Sequence, residues 1–275
     1  MSYHVGIGCY LEYFIITDLE KPRRRRPVSD AVKRLKSSTK GAGRIKNKSQ
    51  LKHILANANR GECAERNVAL VWFLFGSLTR ITETCYLRVE DIFYSNGSLK
   101  SIFRMKKEYA KGGRSRDCAL VLKQQRKALL AWRDKRIRDN AFLSDDGSYG
   151  GLRGDSPLFL SYKGQRGHKW VKLAFNPKSY KTKDGKEQEI MRCSSMENYI
   201  RDLFKKCGFK KGSSHSGRKS TSSYLSDLGV PYDVIQMAIG HLSGDMTDTY
   251  IIPDPQRLTD ALNGLYSTIP QIGEA

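Results

Sequence analysis

The sequence predicts a mainly α-helical chain with a small antiparallel β-sheet, an α+β arrangement. Three observations predict it. Apolar residues recur at helical spacing in several separate stretches between Ser49 and Leu265. Two runs, Leu99–Met105 and Cys118–Leu122, are β-like, and Gly112-Gly113 lies in the turn region between them. The third is composition: 275 residues, 39% hydrophobic and 28% charged, can bury the core of one large domain or two small ones.

Met1–Leu19 alternates apolar and aromatic residues and reads as a strand or a short docking element. Pro22 and Pro27 enclose Arg23, Arg24, Arg25 and Arg26, the composition of a linker or an extended arm, and Gly41 and Gly43 break the basic stretch that follows. From Ser49 a helix begins, with Leu51, Ile54 and Leu55 at helical spacing, and Asn59-Arg60-Gly61 stops it. Ala64–Phe75 is a second, more apolar helix ending at Gly76. Thr79 is placed to cap a third helix that carries Arg80, Glu83 and Leu87. After the two strands, Gln124–Ile137 is a helix with Ala128, Leu129, Leu130 and Trp132 as its apolar set. Asn140–Asp155 is polar and glycine-rich, hence a loop, and Pro157–Ser161 is a short apolar strand. The stretch from Lys163 to Arg192 has no clean period and reads as a basic, hairpin-like insertion. Ser195 is expected to cap a helix through Lys206, with Met196, Ile200, Leu203 and Phe204 inward. Ser216–Leu228 is helical until Gly229, and Pro231 suits the first turn of the next helix, through Ala238. Asp254–Leu265 is a final amphipathic helix.

The net charge of +21 is the outlier, and it implies a polyanionic partner, nucleic acid before anionic membrane. From Lys21 to Arg60 there are fourteen Lys or Arg against one acid, Asp30. Such a block is solvated and interaction-prone. Six cysteines form no Cys-x-x-Cys pair, which argues against a zinc site and for a reduced, intracellular chain with inert core thiols such as Cys85 and Cys118. No apolar run reaches the length of a membrane span, and Tyr10–Ile16 is too short and lacks the basic start of a signal peptide.

The chemistry concentrates in His215-Ser216-Gly217-Arg218, Gly240-His241 and Tyr250. Arg218 and His241 are 23 residues apart, and His241 and Tyr250 nine. Two imidazoles, a guanidinium and a phenol suit a phosphate held by Arg and attacked by an oxygen nucleophile with proton donors beside it. No metal or cofactor is needed to complete that set. A lone Arg in so basic a chain is ordinarily a solvated or backbone-phosphate contact, and a lone Tyr is ordinarily half-buried core. Tyr224 and Tyr266 rival Tyr250 by composition but lack the nine-residue distance from a Gly-His.

This segment resembles the C-terminal signature of the tyrosine recombinases, the phage integrase family. Arg80-Ile81-Thr82-Glu83, leading to Leu87-Arg88-Val89-Glu90-Asp91-Ile92, is similar to the family's first-arginine box. Lys111-Gly112-Gly113-Arg114-Ser115-Arg116 is similar to its β-hairpin with a catalytic lysine. The larger departure is the N-terminal region, short and basic where many relatives carry a separate helical core-binding domain; three others are local. Gly217 stands where Leu is usual, Lys219 replaces a common His, and Leu78-Thr79 precede Arg80 where Gly-Leu is typical.

The resemblance implies the tyrosine recombinase catalytic-domain fold over residues 61–275, with 1–60 as a basic arm or reduced DNA clamp. Arg80 and Arg218 would clamp the phosphate, and two forked, permanently charged guanidiniums suit its non-bridging oxygens. Tyr250 would be the nucleophile, His215 and His241 the acid-base and phosphate hydrogen-bonding groups, and Lys111 the acid for the leaving 5′ oxygen. Glu83 would support them by pairing with a site cation. Arg23, Arg24, Arg25, Arg26, Lys33, Arg34, Lys36, Arg44, Lys46 and Lys48 would contact DNA. The expected partners are double-stranded DNA and further copies of the chain in a tetrameric synapse, reached through the tail helix. No membrane partner is expected, and the expected compartment is the cytoplasm, at the nucleoid. Two alternatives stand beside this reading. A type IB topoisomerase would rejoin the same strand after rotation, so strand exchange between two duplexes distinguishes it. A non-catalytic DNA-binding protein on the same fold would form no covalent adduct.

Overall fold

A computed structural model of the chain describes residues 43–45, 47–110, 113–165, 167–181, 185, 187–240, 259 and 262–264. Eight regular helices and six strands run through the described residues, besides a distorted helical turn at Ser148–Gly151. They are α1 (Lys48–Ala58), α2 (Ala64–Gly76), α3 (Ile81–Tyr86), α4 (Val89–Ile92), β1 (Ile102–Met105), β2 (Arg116–Ala119) and α5 (Lys123–Arg138). There follow β3 (Ser161–Lys163), β4 (Lys169–Val171), β5 (Asn176–Lys181), β6 (Glu187–Arg192), α6 (Ser194–Lys206), α7 (Ser216–Asp227) and α8 (Tyr232–Ile239). The strands form three antiparallel pairs, β1–β2, β3–β4 and β5–β6. No helix among the described residues is long and apolar enough to cross a membrane.

The centre of the core is α2, which is apolar on every side and buried from Arg66 to Gly76. A helix of that composition must be covered all round, and α1, α3, α5 and α7 all pack on it. Helix α1, which the sequence places inside the basic arm, is a core element. Its Leu51, Ile54, Leu55 and Ala58 are buried, and it packs on both α2 and α6.

The strong helical periods are realised. Met196, Ile200, Leu203 and Phe204 are the buried residues of α6. Leu129 and Trp132 are buried in α5, whereas Leu130 is only half-buried. Gln125 and Arg136 are buried in α5 as well, because both find partners. Gln125 Nε2 donates to Ser77 Oγ at 2.8 Å, and Arg136 donates to the Ala141 and Pro157 carbonyls and to Ser156 Oγ.

Several local expectations are corrected. Thr79 does not cap α3; it is fully buried and bonded to Thr84 Oγ1 at 2.7 Å, while Arg80 takes the N-cap position. Leu87 falls just beyond that helix. Ser195 does not cap α6, which starts at Ser194 with Cys193 at the N-cap. Pro157–Ser161 is not one continuous strand. Pro157 makes an isolated bridge to Arg88 and Ser161 opens β3, while Leu158, Phe159 and Leu160 between them are buried and bent. Leu158 N–H donates to Leu87 O at 2.8 Å, and side chains take the carbonyls: Trp132 Nε1 donates to Leu158 at 2.9 Å and Arg66 to Leu160 at 3.1 Å. The stretch from Lys163 to Arg192 holds most of two hairpins rather than one.

Candidate active site

Arg80 is fixed by its own helix. It sits at the N-cap of α3 with extended backbone (φ −78, ψ 148). Glu83, three residues on, accepts from Arg80 N–H at 2.9 Å and from Arg80 Nη1 at 2.7 Å. The acid at the third helical position thus both caps the helix and holds the guanidinium.

A second guanidinium holds Glu83 from the other side. Arg116, the first residue of β2, donates from Nη1 to Oε1 at 3.2 Å and from Nη2 to Oε2 at 2.6 Å. Both partners are buried. Burial alone would raise the Glu83 carboxyl, but the bonds from Arg116 and then from Arg80 hold it below its ordinary value. Arg116 is a residue the sequence reading missed. The available signal was the strand phase. Arg116 pairs with Met105 and Cys118 with Phe103, so Arg116 shares the buried face, a phase hidden by starting the strand at Cys118.

Arg218 is positioned by a close helix contact. A Cβ on Gly217 would lie 3.0 Å from Phe75 Cδ2 and 3.2 Å from Leu74 O. The glycine that replaces the usual Leu therefore lets α7 seat directly on α2, and Thr221 Oγ1 bonds Phe75 O at 3.0 Å one turn further. Arg218 is buried there, donating from Nη1 to Leu78 O at 2.9 Å and from Nη2 to Ile239 O. A guanidinium has five N–H donors, so two carbonyls leave others for a ligand. Leu78 presents its carbonyl from a left-handed backbone (φ 50), at the position where the resembled family has glycine. Burial, then the charges of Arg80 and Arg116, lower the Arg218 pKa to about 9. An anion at the site would relieve that repulsion.

The last residue of this set is Gly240, the C-cap of α8, with φ 62. A Cβ there would stand 2.7 Å from Arg116 Cδ. Only glycine combines the left-handed turn with this approach, and Gly240 immediately precedes His241.

Arg80, Glu83 and His215 line one cavity of ≈ 520 Å³, with Tyr86 from α3, Tyr109 and Ala110 from the β1–β2 connection, Arg192 at the end of β6 and Glu197 on α6. Arg192 Nε donates to Glu197 at 3.0 Å. His215, just ahead of α7, keeps much of its surface open to water. Crowding by the cleft, then the charges of Arg218 and Arg80, lower its pKa and favour the neutral imidazole. Arg80, Glu83, His215 and Arg218 are therefore brought together. Among the described residues, no group of three or more His, Cys, Asp or Glu is arranged to hold a metal ion.

Lys111, His241 and Tyr250 lie outside the described residues, as do Arg23, Arg24, Arg25, Arg26, Lys33, Arg34, Lys36 and Lys46. Arg44 lies over the Tyr224 ring, 4.6 Å from its centroid, and Lys48 is exposed in the first turn of α1. Tyr224, a rival nucleophile by composition, donates its hydroxyl to Ile45 O at 2.8 Å and is a core anchor.

The model of the phage integrase family matches residues 45–257. Among solved structures the chain is similar to XerA recombinase, at 21% identity and a TM-score of 0.51, covering 84% of this chain and 65% of that one. It is similar also to the integrase from mycobacterium phage Brujita, at 14% identity and a TM-score of 0.50, covering 93% of this chain and 64% of that one. Both likenesses are of fold, and the chain spans just under two thirds of each relative's length. No curated protein sequence matches. The family match takes in the helical core, the Arg80 box, the β1–β2 hairpin and the Arg218 helix, and the chain belongs to the phage integrase family.

Proposed function

We propose that the chain is a site-specific DNA recombinase that cleaves and rejoins strands through a covalent 3′-phosphotyrosine intermediate. The observation that carries the reading is the meeting of Arg80 and His215 on one cleft with Arg218 buried close to both, in a chain of this family. Two guanidiniums hold the one Glu83 carboxylate and the charge of Arg218 acts on both, so this cluster carries an excess of positive charge that a phosphodiester would offset.

In this reading Arg80 and Arg218 hold the non-bridging oxygens, whose charge grows in the pentavalent transition state. Tyr250 attacks phosphorus, and its phenolic proton passes to a nearby base, for which the neutral imidazole of His215 is suited. The P–O5′ bond breaks, and Lys111 gives a proton to the departing oxygen. His241 donates to the scissile phosphate. Attack by a 5′ hydroxyl of the partner strand reverses these steps and exchanges strands. The basic segment before α1, with Arg23–Arg26, Lys33, Arg34 and Lys36, binds backbone phosphates. Four copies assemble on two duplexes through their tail helices, in the compartment that holds the DNA.

The test is to incubate the protein in EDTA with the DNA flanking its own coding sequence and to resolve products on a denaturing gel. A protein–DNA adduct is expected, absent in Tyr250→Phe, whose DNA affinity stays near wild type because most affinity comes from other phosphate contacts. An adduct with Tyr250→Phe, or none with the wild type at a cleaved site, overturns the reading.

A further inference from the structure

One group of side chains on the cleft has no part in the chemistry above. The ring of Tyr86 stacks on Phe175, with centroids 4.4 Å apart and planes 14° apart. It also stacks on Tyr109, with centroids 5.7 Å apart and planes 10° apart. The three rings come from three separate pieces of chain: the last residue of α3, the β1–β2 connection and the segment leading into β5. All three are half-buried, and Tyr86 and Tyr109 face the cavity shared by Arg80 and His215. Tyr86 follows Glu83 by three residues on the same short helix, so the stack is tied to the element that presents Arg80.

Tyr109 is held from its other neighbours too. Its N–H donates to Lys106 O at 3.1 Å, and the Lys106 ammonium lies 5.4 Å from its ring centroid. That ammonium is itself anchored 2.7 Å from the Asp91 carboxylate. One residue on, Ala110 O accepts from Gly113 N–H at 3.0 Å. Lys111 is the next residue in the chain. Tyr109, two residues before Lys111, is therefore braced against α3 through Tyr86.

We propose that Tyr109 is a positioning residue for the general acid: its stack on Tyr86 sets where the connection presents Lys111 to the leaving oxygen. The inference rests on Lys111 acting as that acid in the reading above. The chemistry makes position decisive. As the Tyr250 Oη–phosphorus bond forms and the P–O5′ bond breaks, the Lys111 ammonium proton must reach O5′, because an unprotonated alkoxide leaves poorly. A misplacement of about 1 Å typically costs about a hundredfold in rate. An aromatic ring is a suitable brace, since it offers a large rigid face with only two side-chain torsions.

The experiment compares single-turnover cleavage of two duplexes that differ only at the scissile 5′ bridging atom, oxygen or sulfur. A thiolate leaves without a proton, so the sulfur substrate does not need the acid. Full-length Tyr109→Ala is expected to cleave the oxygen substrate about a hundredfold more slowly and the sulfur substrate at close to the wild-type rate. Tyr109→Phe, which keeps the ring, should match wild type on both. Lys111→Ala is measured in parallel and should show the same split as Tyr109→Ala. Equal slowing of Tyr109→Ala on both substrates, with Lys111→Ala rescued by sulfur, overturns the inference while leaving the acid in place. Equal slowing of Lys111→Ala on both overturns the acid assignment, and the inference with it. Should Tyr109→Ala not fold, Tyr109→Leu keeps apolar bulk without a ring face, and the same split or its absence decides.

Discussion

Glu83 carries one negative charge between two guanidiniums, and its energetics differ from those of a surface ion pair. It is 1% exposed, and Arg116 opposite it is 8% exposed. Removing one partner of a buried pair leaves the other charged and desolvated, which typically costs about 3–5 kcal/mol. Glu83→Gln keeps the size and a hydrogen-bond acceptor but strands Arg116. It should lower unfolding free energy by about that amount in urea melts, whereas removing the surface pair Arg153–Asp155 should change little. The pH dependence has a definite sign. A carboxyl whose folded pKa is depressed stabilises above its unfolded value, near 4.5, and that contribution is lost as pH falls through the lower folded pKa. The wild type should therefore lose stability over that acidic window, and Glu83→Gln should lose less there. Equal acid sensitivity of the two proteins would remove Glu83 as the cause. From sequence, Glu83 is expected to pair with a cation or to buttress its helix; its second partner, Arg116, is not foreseen. Arg116 follows a run of basic turn residues, and only the phase of β2, two residues before Cys118, marks it as inward-facing.

At the scale of elements, the clamp depends on how α7 and the α2–α3 junction approach each other. Leu78 sits in that junction with φ 50 and is fully buried, its carbonyl held by Arg218. Two effects oppose each other in Leu78→Gly. Relief of the left-handed backbone returns about 1–2 kcal/mol, while loss of a buried Leu side chain costs about 2–5 kcal/mol. The cavity wins, so Leu78→Gly should be less stable than wild type by about 2 kcal/mol in a denaturant melt. A more stable glycine variant would mean that the backbone strain dominates. The elements themselves were largely legible. The four inward residues of α6 follow a 3.6-residue period and are all buried. What sequence could not tell was which polar groups are buried. Gln125 and Arg136 gain their places from Ser77 and from carbonyls more than fifteen residues away, apart from Ala141. The same holds for Leu158–Leu160. Their apolar run reads as a strand, and only tertiary placement reveals that Trp132 and Arg66 take the carbonyls of Leu158 and Leu160.

For the molecule as a whole, the charge of +21 is unevenly distributed, with nine Lys or Arg between Lys21 and Lys40. Because α1 is part of the core, the segment to delete is residues 1–42. That truncation should keep the fold and flatten the fall of log K with log salt by about 0.9 for each phosphate it no longer neutralises. An unchanged slope in binding titrations would mean that the segment does not touch DNA. The basic character of this region was plain in the sequence; the point at which it gives way to core was not, since Leu51, Ile54 and Leu55 stand among lysines. The close approach of Gly240 to Arg116 has a consequence for how the proposed nucleophile is delivered. Arg116 holds Glu83, which holds Arg80, so the chain leaves α8 a few bonds from the proposed clamp. Ten residues lead from Gly240 to Tyr250, a tether that cannot exceed about 35 Å in any conformation. Attack within one copy is then governed by an effective concentration set by tether length, not by how much protein is present. Dilution would thin out the assembled synapse while leaving each DNA-bound copy's first scission at its own intrinsic pace.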